Sequence, residues 1–300
     1  MNAGVVFTEK YLRLMFKSLR DATPEEVMNE LEHCRRENRR PVRVPRYFRG
    51  YFTEDKYHAV TDFDMQVFKH ESYSRKLVFY IHGGAFIYPP VFFHWRFLHD
   101  VCLRTHCDTL MPVYPKSPDY DCTFAVRTLL DYYHNVAISG RYDEIYLVGD
   151  SAGAHLCLVV AQEASKNGWQ KPESIILLSP CVDLSYSKEQ EMRALQHLDP
   201  MLQLDRIIML NAIWKGNLPA KHPWVSPIFG DFSGIDHLIV YYGTNEILKP
   251  DALFLKDVYE ASGKTGYFKE YEGMFHTFPL FPIPEGFQAT KEIAAHISAQ

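Results

Sequence analysis

Two glycine-bearing strings and two late loops hold the residue types that could do chemistry. Gly149-Asp150-Ser151-Ala152-Gly153 fits G-x-S-x-G, with a strand-like run at 145–148 before it and a helix-compatible run at 154–164 after it. That context puts a serine on a sharp, strained strand-to-helix turn with its oxygen exposed, and small neighbours let the two elements approach. Such a serine attacks carbonyl carbon once a nearby base takes its proton.

Acyl transfer also needs donors for the oxyanion of the tetrahedral intermediate. His82-Gly83-Gly84-Ala85-Phe86 follows the strand-like 77–81, and backbone N–H groups on a glycine-rich loop can point at an oxyanion without side-chain obstruction. The expected donors are Gly84, Ala85 and Ala152. His82 and Gly83 are expected to support the loop, because the general base in this arrangement follows the serine in chain order. Downstream, Glu246 lies just after the strand-like 238–242 and His276 just after 267–271, on loops at strand ends where catalytic groups collect. Ser151, His276 and Glu246 are therefore the expected catalytic residues, with Asp251 the competitor for the acid. Since the base must be neutral to act, activity should fall below a pKa near 6 to 7.

These residues need a scaffold that brings strand ends together. Short apolar runs at 65–69, 77–81, 109–114, 144–148, 174–178, 238–242 and 267–271 alternate with longer amphipathic stretches, the pattern of a mostly parallel sheet between helices. Runs such as Leu77-Val78-Phe79-Tyr80-Ile81 are apolar on both faces, as strands covered on both sides must be. Residues 56–182 and 225–300 are expected to form this core. Residues 1–55 read as an N-terminal helical cap segment, with Thr23, Pro24 and Glu26 forming a capping box, and 183–224 as a helical cap insert. The arginines between Arg35 and Arg49 read as a solvated helix face and linker.

Composition narrows the chemistry. The net charge of -5 is interspersed, so nothing marks a nucleic-acid partner or a polybasic membrane face. No run approaches a membrane span, and charges break the N-terminal apolar run before a signal-peptide core forms, so a cytoplasmic protein is expected. The six cysteines read as reduced thiols. His99, Cys102, His106 and Cys107 repeat no zinc spacing, so no metal is expected.

At this point the motifs resemble the hormone-sensitive-lipase type of α/β-hydrolase, the bacterial carboxylesterases and acetyl esterases with an HGG loop and a GDSAG elbow. The resemblance runs through Tyr114-Pro115-Lys116-Ser117-Pro118, Ser179-Pro180 with Asp183, Leu198-Asp199-Pro200 and Ser226-Pro227-Ile228-Phe229-Gly230-Asp231, covering roughly residues 60–290. It implies the same Ser151, Glu246 and His276 triad, no cofactor, and small short-acyl esters as substrates. By analogy it also allows a homodimer through a C-terminal edge strand. The chain departs from the family in having Ala85 where a third glycine is usual, a donor that should survive if its φ is negative, and Glu where Asp is commoner. An amidase or arylformamidase with the same triad, and a non-catalytic binding protein on a hydrolase scaffold, are the rival readings.

Overall fold

In the computed structural model, residues 3–15 and 23–299 are described. Eight strands form one sheet: β1 (Thr53–His58), β2 (Asp64–His70), β3 (Lys76–Ile81), β4 (Asp108–Pro112), β5 (Glu144–Asp150), β6 (Ser174–Leu178), β7 (Leu238–Gly243) and β8 (Tyr267–Tyr271). Their order is β1-β2-β4-β3-β5-β6-β7-β8; β1, β2 and β4 pair antiparallel, and the strands from β4 through β8 pair parallel.

The two-sided apolar runs divide as parallel strands require. Leu77, Phe79, Ile81, Ile145, Leu147, Ile175 and Leu177 enter one core cluster, and the alternating Val78, Tyr80, Tyr146, Val148, Ile176 and Leu178 enter another on the opposite face. Each fully buried side chain of this size contributes about 1.5 to 3 kcal/mol. Helices α4 (Cys122–Ile138) and α5 (Ala152–Lys166) cover the first face, while α3 (Phe92–Thr105) and α9 (Pro284–Ser298) cover the second.

One strand escaped the sequence pattern. β1 reads Thr-Glu-Asp-Lys-Tyr-His, mostly exposed, with no apolar face, and it pairs only with β2 at the sheet edge. The expected boundary between residues 55 and 56 therefore runs through a strand.

The N-terminal helices are α1 (Ala3–Met15) and α2 (Pro24–Asn38), and the capping box on Thr23 and Glu26 is formed. Val27, Leu31 and Cys34 of α2 pack with Leu210 of α7 (Leu204–Lys215) and with Ile87 of the loop after β3. The insert also carries α6 (Glu189–Leu195), and α8 (Lys249–Ala261) follows β7. The arginine run is spent on pairing and solvent: Arg35 and Arg39 meet Asp119, and Arg40 meets Glu37.

Candidate active site

At the end of β5 the chain turns into α5 through Ser151, whose φ of 53° and ψ of -119° lie where a non-glycine residue is strained. Two glycines make the turn sterically feasible. A Cβ on Gly153 would sit 1.9 Å from the Ile81 carbonyl oxygen, and one on Gly149 would sit 2.7 Å from the backbone of Gly153. The Ser151 N–H donates to the Leu178 carbonyl at 2.8 Å, fixing the elbow against the end of β6.

The loop after β3 is held from below by Asp150. This buried carboxylate accepts hydrogen bonds from the Gly83 N–H at 2.9 Å and from the Tyr80 hydroxyl, and His94 Nε2 lies 3.5 Å from it. Burial would push the Asp150 carboxyl up, but His94, Tyr80 and the Gly83 N–H outweigh it and hold the group below its ordinary value. A Cβ on Gly83 would sit 2.2 Å from the same carboxylate. His82 is fully buried, stacks on Tyr114 at 4.6 Å, and donates from Nδ1 to the Gly83 carbonyl at 2.7 Å. Burial drives its pKa well below the ordinary histidine value, so it stays neutral and serves the loop's shape.

Gly84, Ala85 and Phe86 all have positive φ, 115°, 52° and 62°. This corrects the expectation for Ala85, whose N–H was to survive through a negative φ: the alanine takes the glycine-like conformation instead, at a cost of order 1 kcal/mol. Among the described residues no backbone acceptor takes the N–H of Gly84, Ala85 or Ala152.

The acid and histidine loops are pinned to each other. Gly243 has no room for a Cβ, which would meet the Met274 carbonyl oxygen at 2.1 Å, and the Asn245 N–H donates to that same oxygen at 2.8 Å. His276 Nδ1 donates to Glu246 Oε2 at 2.8 Å, and Glu246 Oε1 accepts the Gly243 N–H at 2.9 Å. The carboxylate partner keeps the neutral imidazole's proton on Nδ1 and leaves Nε2 free to accept one. Burial would lower the His276 pKa, but the Glu246 hydrogen bond and charge, with Asp199 and Asp150, raise it above the ordinary 6.5. The Thr277 N–H donates to Ser179 Oγ at 2.9 Å, so His276 and Ser151 are tied to neighbouring residues at the end of β6.

Asp251 lies apart from this pair. Its Oδ2 accepts the N–H groups of Val182 and Asp183 at 2.7 and 3.2 Å, and burial raises its pKa to about 7. Sequence reasoning missed the supporting roles of Asp150, Tyr80 and His94. Asp150 occupies a variable position of the serine motif, and the others are distant in sequence, so only the fold could join them.

Two aromatic residues near the loop are core. Phe86 and Trp214 are fully buried and stacked at 3.7 Å, and the Tyr88 hydroxyl bonds Glu30, which pairs with Arg206 at 2.6 Å. All six cysteines are buried and free. Among the described residues no cluster of His, Cys, Asp and Glu could hold a metal ion, and no helix is long and apolar enough to cross a membrane.

A family profile described as the alpha/beta hydrolase fold matches residues 78–280, spanning both glycine strings and both late loops. The chain belongs to the alpha/beta hydrolase family. It is 29% identical over 230 residues to an esterase of Acinetobacter venetianus, covering 75% of this chain and 76% of that one. It is 26% identical to an acetyl-hydrolase of Streptomyces hygroscopicus, covering 74% and 75%. A solved esterase of the bacterial hormone-sensitive lipase family superposes with a TM-score of 0.81 over 100% of this chain and 99% of that one, at 22% identity. This α/β-hydrolase is a carboxylic ester hydrolase.

Proposed function

We propose that the protein is a serine esterase in which Ser151, His276 and Glu246 form the triad and small, short-acyl esters are the substrates. The observation that carries this reading is the buried His276–Glu246 hydrogen bond, tied through Ser179 to the strand end that also anchors the strained Ser151. His276 Nε2 takes the proton from Ser151 Oγ as that oxygen attacks the ester carbonyl carbon. The tetrahedral oxyanion is met by the N–H groups of Gly84, Ala85 and Ala152, each such donor being worth about 3 to 4 kcal/mol. Collapse expels the alcohol, which takes the proton back from His276, and leaves an acyl-Ser151 ester. Water, activated by the same histidine, then releases the acid and regenerates the enzyme. Glu246 holds the ring and stabilises the imidazolium.

The preference for short acyl groups draws support from the acetyl-hydrolase relative and from Ala85, whose methyl group takes up space in the oxyanion loop. The six unpaired, buried thiols support a reducing cytoplasmic setting. Hydrolysis of p-nitrophenyl esters from acetate to palmitate tests the substrate range. Acetate to butyrate should give the highest kcat/KM, and palmitate turned over best would overturn the short-acyl reading.

A further inference from the structure

We propose that Asp199, carried by the insert between β6 and β7, is a positioning residue that keeps the Glu246 loop in register and makes the charge of His276 depend on the docked insert. This rests on the triad reading above. Asp199 is completely buried. Its Oδ1 accepts the N–H groups of Met201 and Leu202, both at 2.8 Å, which folds the insert into a tight turn around the carboxylate. Its Oδ2 reaches out of the insert and accepts the Ile247 N–H at 2.9 Å, one residue beyond Glu246. The turn is anchored in its own right: Arg13 of α1, paired with Glu9 at 2.8 Å, donates to the Leu198 carbonyl at 2.7 Å.

A buried carboxylate is costly, and its place here needs a reason. The hydrogen bonds satisfy its oxygens, and the histidine supplies the opposite charge. His276 is hydrogen-bonded to Glu246 on the loop after β7, and the charges of Asp199 on the insert and Asp150 at the end of β5 also act on it. Burial raises the Asp199 pKa above the ordinary carboxylate value, and His276 acts against that rise. The negative charge of Asp199 strengthens His276 as a base and stabilises the imidazolium formed when Ser151 attacks. The same charge keeps His276 protonated, and idle as a base, up to a higher pH. Displacing the insert would therefore both loosen the Glu246 loop and weaken the base.

The sign of the effect follows. His276 is raised in the folded enzyme, so activity is lost as pH falls through a value above that of free histidine. Removing the Asp199 charge lowers that value and moves the acid limb to lower pH. The experiment is the pH profile of kcat/KM for p-nitrophenyl acetate in wild type, Asp199→Asn and Asp199→Glu, with folding checked by circular dichroism. Asp199→Asn should move the limb down by about 0.5 to 1 pH unit and lower the plateau about tenfold. Asp199→Glu should return the limb toward its wild-type position by restoring the charge.

A folded Asp199→Asn enzyme with an unmoved limb would overturn the proposal, whatever its melting temperature. If Asp199→Asn does not fold, Arg13→Ala decides: it removes the turn's outer anchor without altering the carboxylate and so loosens the docking of the insert, and a smaller shift in the same direction supports the proposal while an unmoved limb overturns it. Failure of the triad reading looks different, because the wild-type profile itself would then show no single-histidine limb.

Discussion

The proposed nucleophile half of this site and its proposed acid–base half are built by opposite strategies. Ser151 stands on a turn of consecutive residues, Gly149 to Gly153, whose shape is dictated by what cannot fit: no Cβ is tolerated at Gly153 against Ile81 or at Gly149 against Gly153. Glu246 and His276 lie 30 residues apart and are joined by hydrogen bonds between loops, with further support from Asp199, nearly 50 residues before Glu246. Steric exclusion makes the first half rigid, and its functional residues are consecutive in the sequence. The second half is only as rigid as the packing of β7, β8 and the insert.

That difference predicts how each half breaks. The largest effect should come from the acid–base half: Glu246→Gln removes the charge that stabilises the imidazolium and should lower kcat by about 10⁴-fold with the fold intact. Asp251→Asn, at a carboxyl bound to the Val182 and Asp183 N–H groups and half protonated near neutrality, should leave kcat within about threefold of wild type. Steady-state kinetics on p-nitrophenyl acetate check both, and the reverse ranking would transfer the acid's role. Next in size, Gly153→Ala should destabilise the fold by about 3 to 4 kcal/mol, because backbone and not a flexible side chain blocks the new methyl group. Thermal unfolding would show it, and an unchanged midpoint would mean that the elbow yields. The smallest effect is Ala85→Gly. It trades a strained φ of 52° for greater freedom in the unfolded chain, for a net change of under about 1 kcal/mol.

The same contrast explains what could be read from the sequence. The elbow was legible because its chemistry and its sterics occupy neighbouring positions. The central strands were legible because runs such as Leu77-Val78-Phe79-Tyr80-Ile81 feed both cores. β1 was not, since an edge strand exposed on both sides carries no apolar alternation. Glu246 and Asp251 were separated only by position in sequence, and the hydrogen bond to His276 distinguishes them by geometry. The backbone of Ala85 could not be foreseen, because the neighbouring residues impose the left-handed turn that an alanine alone would avoid. Asp150 and Asp199 are buried carboxylates whose partners are N–H groups and rings from other elements, and no local pattern announces such partners.

The central claim is that Ser151 is the nucleophile activated by His276 and Glu246. The most direct measurement is the intact mass of the protein after incubation with a fluorophosphonate, which phosphonylates only an activated serine. The wild-type chain should gain one adduct, mapped to the peptide containing Ser151, Ser151→Ala should gain none, and Glu246→Gln should react far more slowly. A folded wild-type chain that stays unmodified, or an adduct that persists in Ser151→Ala, would contradict the account.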